Sequence, residues 1–96
     1  MVLESVIERA LVNGLKARGA MCVKQEATMA GLPDRLCVLP GGRVVWVELK
    51  QDKGRLRPIQ AYMHRRLRKL GHDVRTLYGM EQVLDFLEGL DEVQSK

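Results

Sequence analysis

Residues 31–50 read GLPDRLCVLPGGRVVWVELK. Two apolar runs, 36–39 and 44–50, flank a Pro-Gly-Gly turn, and this pattern is typical of an antiparallel β-hairpin. Pairing across the turn joins residues whose numbers sum to about 83, so Asp34 should lie opposite the neighbourhood of Glu48. The hairpin therefore predicts two carboxylates close together at one end of two neighbouring strands.

The second strand of the hairpin divides its side chains between the two faces of the sheet. Val45, Val47 and Leu49 share one face, and Trp46, Glu48 and Lys50 share the other. Taken alone, Glu48 and Lys50 are typical of a salt bridge at the rim, which contributes little to stability. Asp34 favours a second interpretation, because opposed like charges destabilise a sheet unless a cation lies between them. Two carboxylates with open positions suit Mg²⁺, which keeps water ligands and binds phosphate oxygens.

Helices and further strands are predicted before and after the hairpin. The predicted elements are, in order, a helix over 3–15, a strand over 21–24, the two hairpin strands, a helix over 58–70, a strand over 74–78 and a helix over 80–90. Gly19 ends the first helix, Pro58 begins the second, and Gly71 ends it. A frayed tail is expected over 91–96. The order α-β-β-β-α-β-α predicts a single α/β domain over residues 1–96, built around a mixed sheet.

The apolar residues and the side chains beside them give an expected core. The second helix should bury Ile59, Tyr62 or Met63, Leu67 and Leu70, and the last helix should bury Val83, Leu84 and Leu87. Trp46 is expected in the core, since strand interiors favour aromatic residues. Cys22 and Cys37 lack zinc-site or redox-motif spacing, so buried thiols are expected ahead of a disulfide or a zinc pair. His64 and His72 have no partner at zinc-ligand spacing, and we expect a surface or helix-end position for both.

The composition of the 96-residue chain excludes several classes of protein. Hydrophobic residues make up 46% and charged residues 29%, the balance of a globular rather than a disordered chain. No apolar run reaches the length of a membrane span and no signal-peptide pattern is present, so we expect a cytosolic protein. Aromatic residues make up only 4%, which argues against a single-strand binder that stacks bases.

Positive charge is concentrated in the middle of the chain. The formal net charge is +4, yet residues 43–75 hold ten basic side chains against three acidic ones, a local net charge of +7. A polyanion would bind to this third of the chain. The candidate phosphate-binding residues are Lys53, Arg55, Arg57, Arg65, Arg66, Arg68 and Lys69. Those on the second helix are equally consistent with a solvated helix face.

Pro33-Asp34, thirteen further residues and then Glu48-Leu49-Lys50 form the pattern PD…ExK of the restriction-endonuclease-like nucleases. Around it lie Glu4 and Glu8 on the first helix, the Gly-Gly hairpin, and Gln60 on the second helix. Together these features resemble the stand-alone VRR-NUC (virus-type replication-repair nuclease) domain of phages and bacteria, over residues 4–87. The resemblance implies an αβββαβ core, followed here by a C-terminal helix.

The resemblance also implies a metal-dependent phosphodiesterase with Mg²⁺ or Mn²⁺ as its cofactor. Asp34 and Glu48 then bind the metal, and the carbonyl of Leu49 adds a ligand. Lys50 orients the attacking water and offsets the charge that develops on the phosphate. Gln60 matches the glutamine that supports the site from the helix.

Glu4 and Glu8 leave a choice open. They lie four residues apart on the polar face of the first helix, where both can be solvated and where the positive helix N-terminus favours Glu4. In the alternative, one of them points into the site, and the leading glutamate of the family matches Glu4. Glu4 is therefore the expected third metal-binding carboxylate.

These features predict a metal-dependent DNA endonuclease. Similarity to dimeric Holliday junction resolvases implies a four-way DNA junction as substrate and a homodimer, in the cytoplasm of a bacterium or a phage-infected host. Two alternatives stay open. One is a module of the same fold that binds nucleic acid without cutting it, and the other is a flap or duplex nuclease that needs a partner protein.

Overall fold

A four-stranded sheet with helices on both faces forms the framework of the molecule. The computed structural model describes residues 2–26 and 28–94. The helices are α1 (Glu4–Ala17), α2 (Pro58–Lys69) and α3 (Gly79–Gln94), and the strands are β1 (Met21–Lys24), β2 (Arg35–Leu39), β3 (Arg43–Lys50) and β4 (Asp73–Tyr78). This confirms the predicted α/β class and element order.

The sheet is mixed, with its strands in the order β1-β2-β3-β4. β1 pairs with β2, and β2 with β3, in antiparallel orientation. β4 runs parallel to β3, because helix α2 crosses over between them. None of the helices within residues 2–26 and 28–94 is long and apolar enough to cross a membrane.

The register of the hairpin places its two acidic residues next to each other. Arg35 pairs with Val47, so the paired numbers sum to 82, within one of the expected value. One further step in this register puts Asp34 beside Glu48. A 3₁₀ turn over Pro40–Gly42 joins the strands, and its glycines take the positive φ values (82° and 77°) that favour glycine.

The main core lies between one face of the sheet and the pair α1 and α3. Its buried members are Ile7, Leu11, Leu15, Ala20, Cys37, Leu39, Val45, Val47, Leu49, Leu77, Val83, Phe86, Leu87 and Leu90. The predicted inward face of β3 is thus confirmed. The two helices approach closely at Gly14, where any Cβ would overlap the side chain of Leu87.

Helix α2 covers β4 on the opposite face with a stripe that differs from the expected one. Its buried residues are Gln60, Met63, His64 and Leu67. Leu67 is buried as predicted, and of the alternatives Tyr62 and Met63 it is Met63 that is buried. Ile59 is exposed and Leu70 is 75% exposed, so the predicted burial of these two residues is wrong. The buried side of α2 differs from the expected one because it includes two polar side chains, Gln60 and His64, which face the acidic end of the hairpin. Apolar periodicity has no means of anticipating a polar stripe of this kind.

Helix α3 is longer than expected and buries a slightly different set of residues. Val83 and Leu87 are buried as predicted, whereas Leu84 is exposed and Phe86 and Leu90 are buried instead. The helix continues to Gln94, so the fraying expected from residue 91 does not describe residues 91–94. An ion pair between Arg18 and Asp91 (2.6 Å) ties this end to α1. The rest of the expected tail, residues 95–96, lies outside the described residues.

The α2-side face of the sheet carries an apolar surface over β1 and β2. Register pairing places Met21 beside Val38 and Val23 beside Leu36. Helix α2 packs against β4, at the other end of the sheet. Met21, Val23 and Val38 are consequently exposed, and Leu36 is only partly buried. We call these four residues the bare sheet face.

The cysteines and the single tryptophan are partly as expected. Cys22 and Cys37 face each other across β1 and β2 as free thiols, with Cys37 buried and Cys22 half-buried. Trp46 is also half-buried rather than in the core, and its Nε1–H donates to Nδ1 of His72 at 3.3 Å. His72 is exposed as predicted. His64 is fully buried in the middle of α2, so its predicted surface or helix-end position is wrong.

Candidate active site

An open cavity of about 410 Å³ lies where the carboxyl end of β3 meets the start of α2. It is lined by Glu4, Asp34, Glu48, Leu49, Lys50, Gln51, Gly54, Arg57 and Gln60. The structure therefore brings together around one space all six residues that were predicted as catalytic or metal-binding. They come from α1, the start of β2, the end of β3 and the first turn of α2.

Local backbone geometry sets the direction of the central side chains. Asp34 follows the buried Pro33 and stands immediately before β2, where it is exposed to solvent. Glu48 and Lys50 are two residues apart on β3 and therefore point to the same face of the sheet. Leu49, between them, is buried in the main core on the opposite face. The strand thus presents an acidic and a basic side chain to the cavity, while the apolar residues that alternate with them pack in the core and hold the strand in position.

Glu48 is the most unusual titratable group in the cavity. It is only 2% exposed, and burial raises its pKa to about 8, assisted by the hydrogen bond and the negative charge of Asp34. The charge of Lys50 acts in the opposite direction. Glu48 Oε1 is buried and has no hydrogen-bond partner among the described residues. The two carboxylates accordingly repel each other when both are ionised, and a proton or another cation between them reduces that repulsion.

Known proteins that are similar in sequence and structure indicate the family to which a chain with this cavity belongs. Over 75 residues the chain is 36% identical to the "Putative nuclease p44" of Acyrthosiphon pisum secondary endosymbiont phage 1, a match over 77% of this chain and 81% of the relative. A solved structure titled "VRR_NUC domain" is 29% identical and superposes with a TM-score of 0.81, covering 88% of this chain and 94% of that one. The chain belongs to the VRR-NUC family.

A second solved structure extends the match to the fold. "VRR_NUC domain protein" is 16% identical, with a TM-score of 0.73 over 93% of this chain and 88% of that one, which shows a shared VRR-NUC fold alone. No family model matches the chain. The names of the relatives support nuclease activity, and so a hydrolase, and they suggest DNA as its substrate.

A VRR-NUC nuclease fold usually implies a divalent metal, and this cavity fits one. The fit rests on the adjacent carboxyl groups of the buried Glu48 and of Asp34, whose mutual repulsion a cation relieves, since hard carboxylate oxygens are the ligands that Mg²⁺ and Mn²⁺ prefer. Within residues 2–26 and 28–94, no group of three or more His, Cys, Asp or Glu side chains is arranged to hold a metal. Glu4 thus lines the cavity without forming such a group with the other two acids.

The two glutamates of α1 have different surroundings in this VRR-NUC chain. Glu4 is exposed at the edge of the cavity. Glu8, one turn later, forms an ion pair with the buried Arg35 (3.2 Å), the residue that follows Asp34. Of the two, Glu4 is the residue that lines the cavity. Glu8 instead holds the start of β2 against α1.

Gln60 combines a position on the cavity with a structural task. Its side chain is buried, and its Oε1 accepts a hydrogen bond from the backbone N–H of Arg57 at 2.8 Å. This bond satisfies one of the free donors at the start of α2. Gln60 therefore fixes the first turn of α2 against the acidic pair, a task that the family resemblance does not describe.

The predicted DNA-binding residues are spread around the cavity. Arg57 lines it directly, and Lys53 lines a neighbouring apolar cavity of about 300 Å³. Arg55, Arg65, Arg66 and Lys69 are exposed, and Arg66 lies over the ring of Tyr62. Arg68 differs, because its guanidinium donates to the carbonyl of Val74 at 2.9 Å and so ties α2 to β4.

His64 is a residue of the site that sequence analysis missed. Its imidazole is fully buried beneath the cavity, with Nε2 3.9 Å from Glu48 Oε1. Its position four residues after Gln60 was an available signal, because residues four apart share one face of a helix. A helix that directs one polar side chain toward a site therefore also directs the side chain four residues later toward it.

Proposed function

We propose that this VRR-NUC chain is a Mg²⁺- or Mn²⁺-dependent endonuclease that hydrolyses phosphodiester bonds in DNA. The observation that carries the proposal is the buried Glu48 beside Asp34, with Lys50 on the same face of β3, in an open cavity. Membership of a nuclease family agrees with it. We propose that the enzyme acts in the cytoplasm of a bacterium or of a phage-infected host, where its DNA substrate is found.

The side chains of the cavity have separate tasks in the proposed reaction. Asp34, Glu48 and the Leu49 carbonyl hold the metal, which when bound polarises the phosphate and favours ionisation of water. Lys50 donates hydrogen bonds that orient the attacking water and offset the charge that develops on the phosphate oxygens. A bond forms between the water oxygen and phosphorus, and the bond from phosphorus to one sugar oxygen breaks. Glu4 approaches from α1 as a further acidic ligand in this proposal.

In this proposal the basic residues around the cavity bind the DNA strand. In this proposal Arg57 contacts the phosphate at the cut, and its position in the lining of the cavity supports that role. Lys53, Arg55, Arg65, Arg66 and Lys69 extend the positive surface to neighbouring phosphates. Binding of this kind releases counterions and weakens steeply as salt concentration rises.

We further propose a four-way DNA junction as substrate and a homodimer as the active form. A junction needs two matched cuts, and the described part of the chain forms one acidic cavity of this kind, so a symmetric pair of chains supplies both. The bare sheet face supports this proposal, because Met21, Val23 and Val38 place exposed apolar side chains on one continuous surface. A second copy of the chain would cover that surface.

A module that binds nucleic acid without cutting it is the main alternative. The buried Glu48 argues against this alternative, because a pair of acids beside the bound phosphates weakens binding and a binding module does not need it. A flap or duplex nuclease that depends on a partner protein uses the same cavity, and the choice of substrate separates it from the junction proposal.

The test is a cleavage panel with a four-way junction, a flap, plain duplex and single-stranded DNA, each with Mg²⁺ or Mn²⁺. We expect symmetric nicks in the junction, and no cutting by Asp34→Asn, which removes a ligand charge but keeps the shape of the side chain. Cleavage that survives in Asp34→Asn contradicts the assignment of the site. Cutting of the flap or duplex alone favours the partner-dependent nuclease, and salt-sensitive binding without any cutting favours the binding module.

A further inference from the structure

A buried imidazole lies directly behind the acidic pair. His64 is 0% exposed and Glu48 is 2% exposed, and the two side chains approach to 3.9 Å between Nε2 and Oε1. Neither nitrogen of His64 has a hydrogen-bond partner among the described residues, and neither does Glu48 Oε1. A donor and an acceptor, both unpartnered and both buried, thus face each other slightly beyond hydrogen-bond distance. Such pairs are rare in folded proteins, because each group has lost its hydrogen bonds to water without gaining others in their place.

The position of His64 suits a hydrogen-bond donor to Glu48. Both side chains are buried away from water, and the facing atoms, Nε2 of His64 and Oε1 of Glu48, have no other partner among the described residues. A neutral imidazole carries one N–H and one acceptor nitrogen. The nitrogen nearer to Glu48 is Nε2, so the tautomer with the proton on Nε2 presents its N–H to the carboxylate. The position of that proton follows from this contact and is assigned on that basis.

We propose that His64 is a positioning residue for the metal site: it donates from Nε2 to Oε1 of ionised Glu48 and so directs the other carboxylate oxygen toward Asp34 and the metal. This inference rests on the proposed function, because it assumes that Glu48 is a metal ligand. It explains why α2 buries a histidine within the stripe that packs toward the sheet. Hydrogen bonds to ligating carboxylates orient them, and their loss commonly weakens metal binding by about 10–100-fold.

Stability and metal affinity should move in opposite directions when His64 is replaced. His64→Leu removes two buried nitrogen atoms that lack partners and fills their place with carbon, so the metal-free protein should unfold at the same or a higher temperature. The same change removes the donor to Glu48, so metal affinity should fall. A residue that only fills space predicts the reverse, namely lower stability and unchanged affinity.

The experiment is calorimetric titration of Mn²⁺ into the metal-free protein, combined with thermal unfolding of each variant. We expect Mn²⁺ affinity to fall on the order of 10–100-fold in His64→Leu. His64→Gln should stay near wild type, because its amide nitrogen occupies the place of Nε2. Met63→Leu is the matched control, since it changes a buried neighbour on the same helix turn and should leave Mn²⁺ affinity unchanged.

Two comparisons keep this test separate from a test of the proposed function. Glu48→Gln should abolish Mn²⁺ binding, and if it binds as tightly as wild type the metal site itself is wrong. If Glu48→Gln loses binding while His64→Leu keeps wild-type affinity, only the role of His64 is overturned. Should His64→Leu fail to fold, His64→Gln against His64→Asn decides, because the shorter asparagine amide falls short of Glu48. Equal affinity in those two variants then overturns the inference.

Discussion

At the scale of single residues, the acidic pair makes the stability of the metal-free protein depend on pH. The pKa of Glu48 is about 8 in the folded protein against an ordinary 4.5. An unfolded chain therefore releases this proton at lower pH than the folded chain does. The stability that protonated Glu48 contributes is fully present below pH 4.5 and is lost as pH rises toward 8.

We expect wild type to lose on the order of 1–2 kcal/mol relative to Glu48→Gln between pH 6.5 and 8.5. The window begins above the ordinary pKa of histidine, so His64 is neutral in both states and does not contribute. Urea unfolding of both proteins in the presence of a chelator measures the difference, and the two cysteines cancel in the comparison. Stability curves that stay parallel across this window would show that Glu48 ionises normally.

At the scale of secondary-structure elements, the sequence was informative wherever backbone chemistry decided the outcome. The Pro-Gly-Gly turn set the hairpin register to within one residue, and that register alone brought Asp34 to Glu48. Pro58 and Gly71 marked the two ends of α2 correctly. The buried stripe of α2 differs from the predicted one, because apolar periodicity directs residues such as Ile59 toward the sheet and Ile59 is exposed. In the folded protein, the side of α2 that faces the sheet includes the polar side chains next to the cavity.

Two of the three arginines of helix α2, Arg65 and Arg68, have different contacts, which allows a matched pair of variants. Arg68→Ala removes the hydrogen bond to the Val74 carbonyl and should lower the free energy of unfolding by about 1 kcal/mol. Arg65→Ala removes an exposed charge, so stability should stay unchanged while DNA affinity and the slope of its salt dependence fall, the slope by about one.

Thermal unfolding and binding titrations at several salt concentrations separate the two effects. An Arg65→Ala protein with wild-type DNA affinity would leave the exposed face of α2 outside the DNA-binding surface. Equal loss of stability in both variants would instead indicate that the Arg68 contact contributes nothing specific.

At the scale of the whole molecule, the two faces of the sheet are covered unequally. Helices α1 and α3 enclose one face over a continuous core, whereas α2 packs against β4 and leaves the bare sheet face over β1 and β2. Sequence patterns identified the strands but not this imbalance, since the area that a helix covers depends on its docking position. A symmetric partner that packs on this surface would also hold two cavities in one assembly.

Met21→Lys tests that arrangement, because Met21 is 62% exposed on the bare sheet face and a charge there must be desolvated when a second copy packs on it. We expect the dimer dissociation constant to rise at least about tenfold, since burial of a methionine contributes about 1.5–3 kcal/mol. Sedimentation velocity across a range of concentrations measures the change. Leu70→Lys, an exposed apolar residue at the end of α2, is the control and should leave the dimer intact. Both changes add one positive charge, which attracts DNA, so weaker junction cutting by Met21→Lys alone cannot arise from the added charge itself. A wild-type protein that stays monomeric at concentrations where it cuts junctions would overturn the dimer.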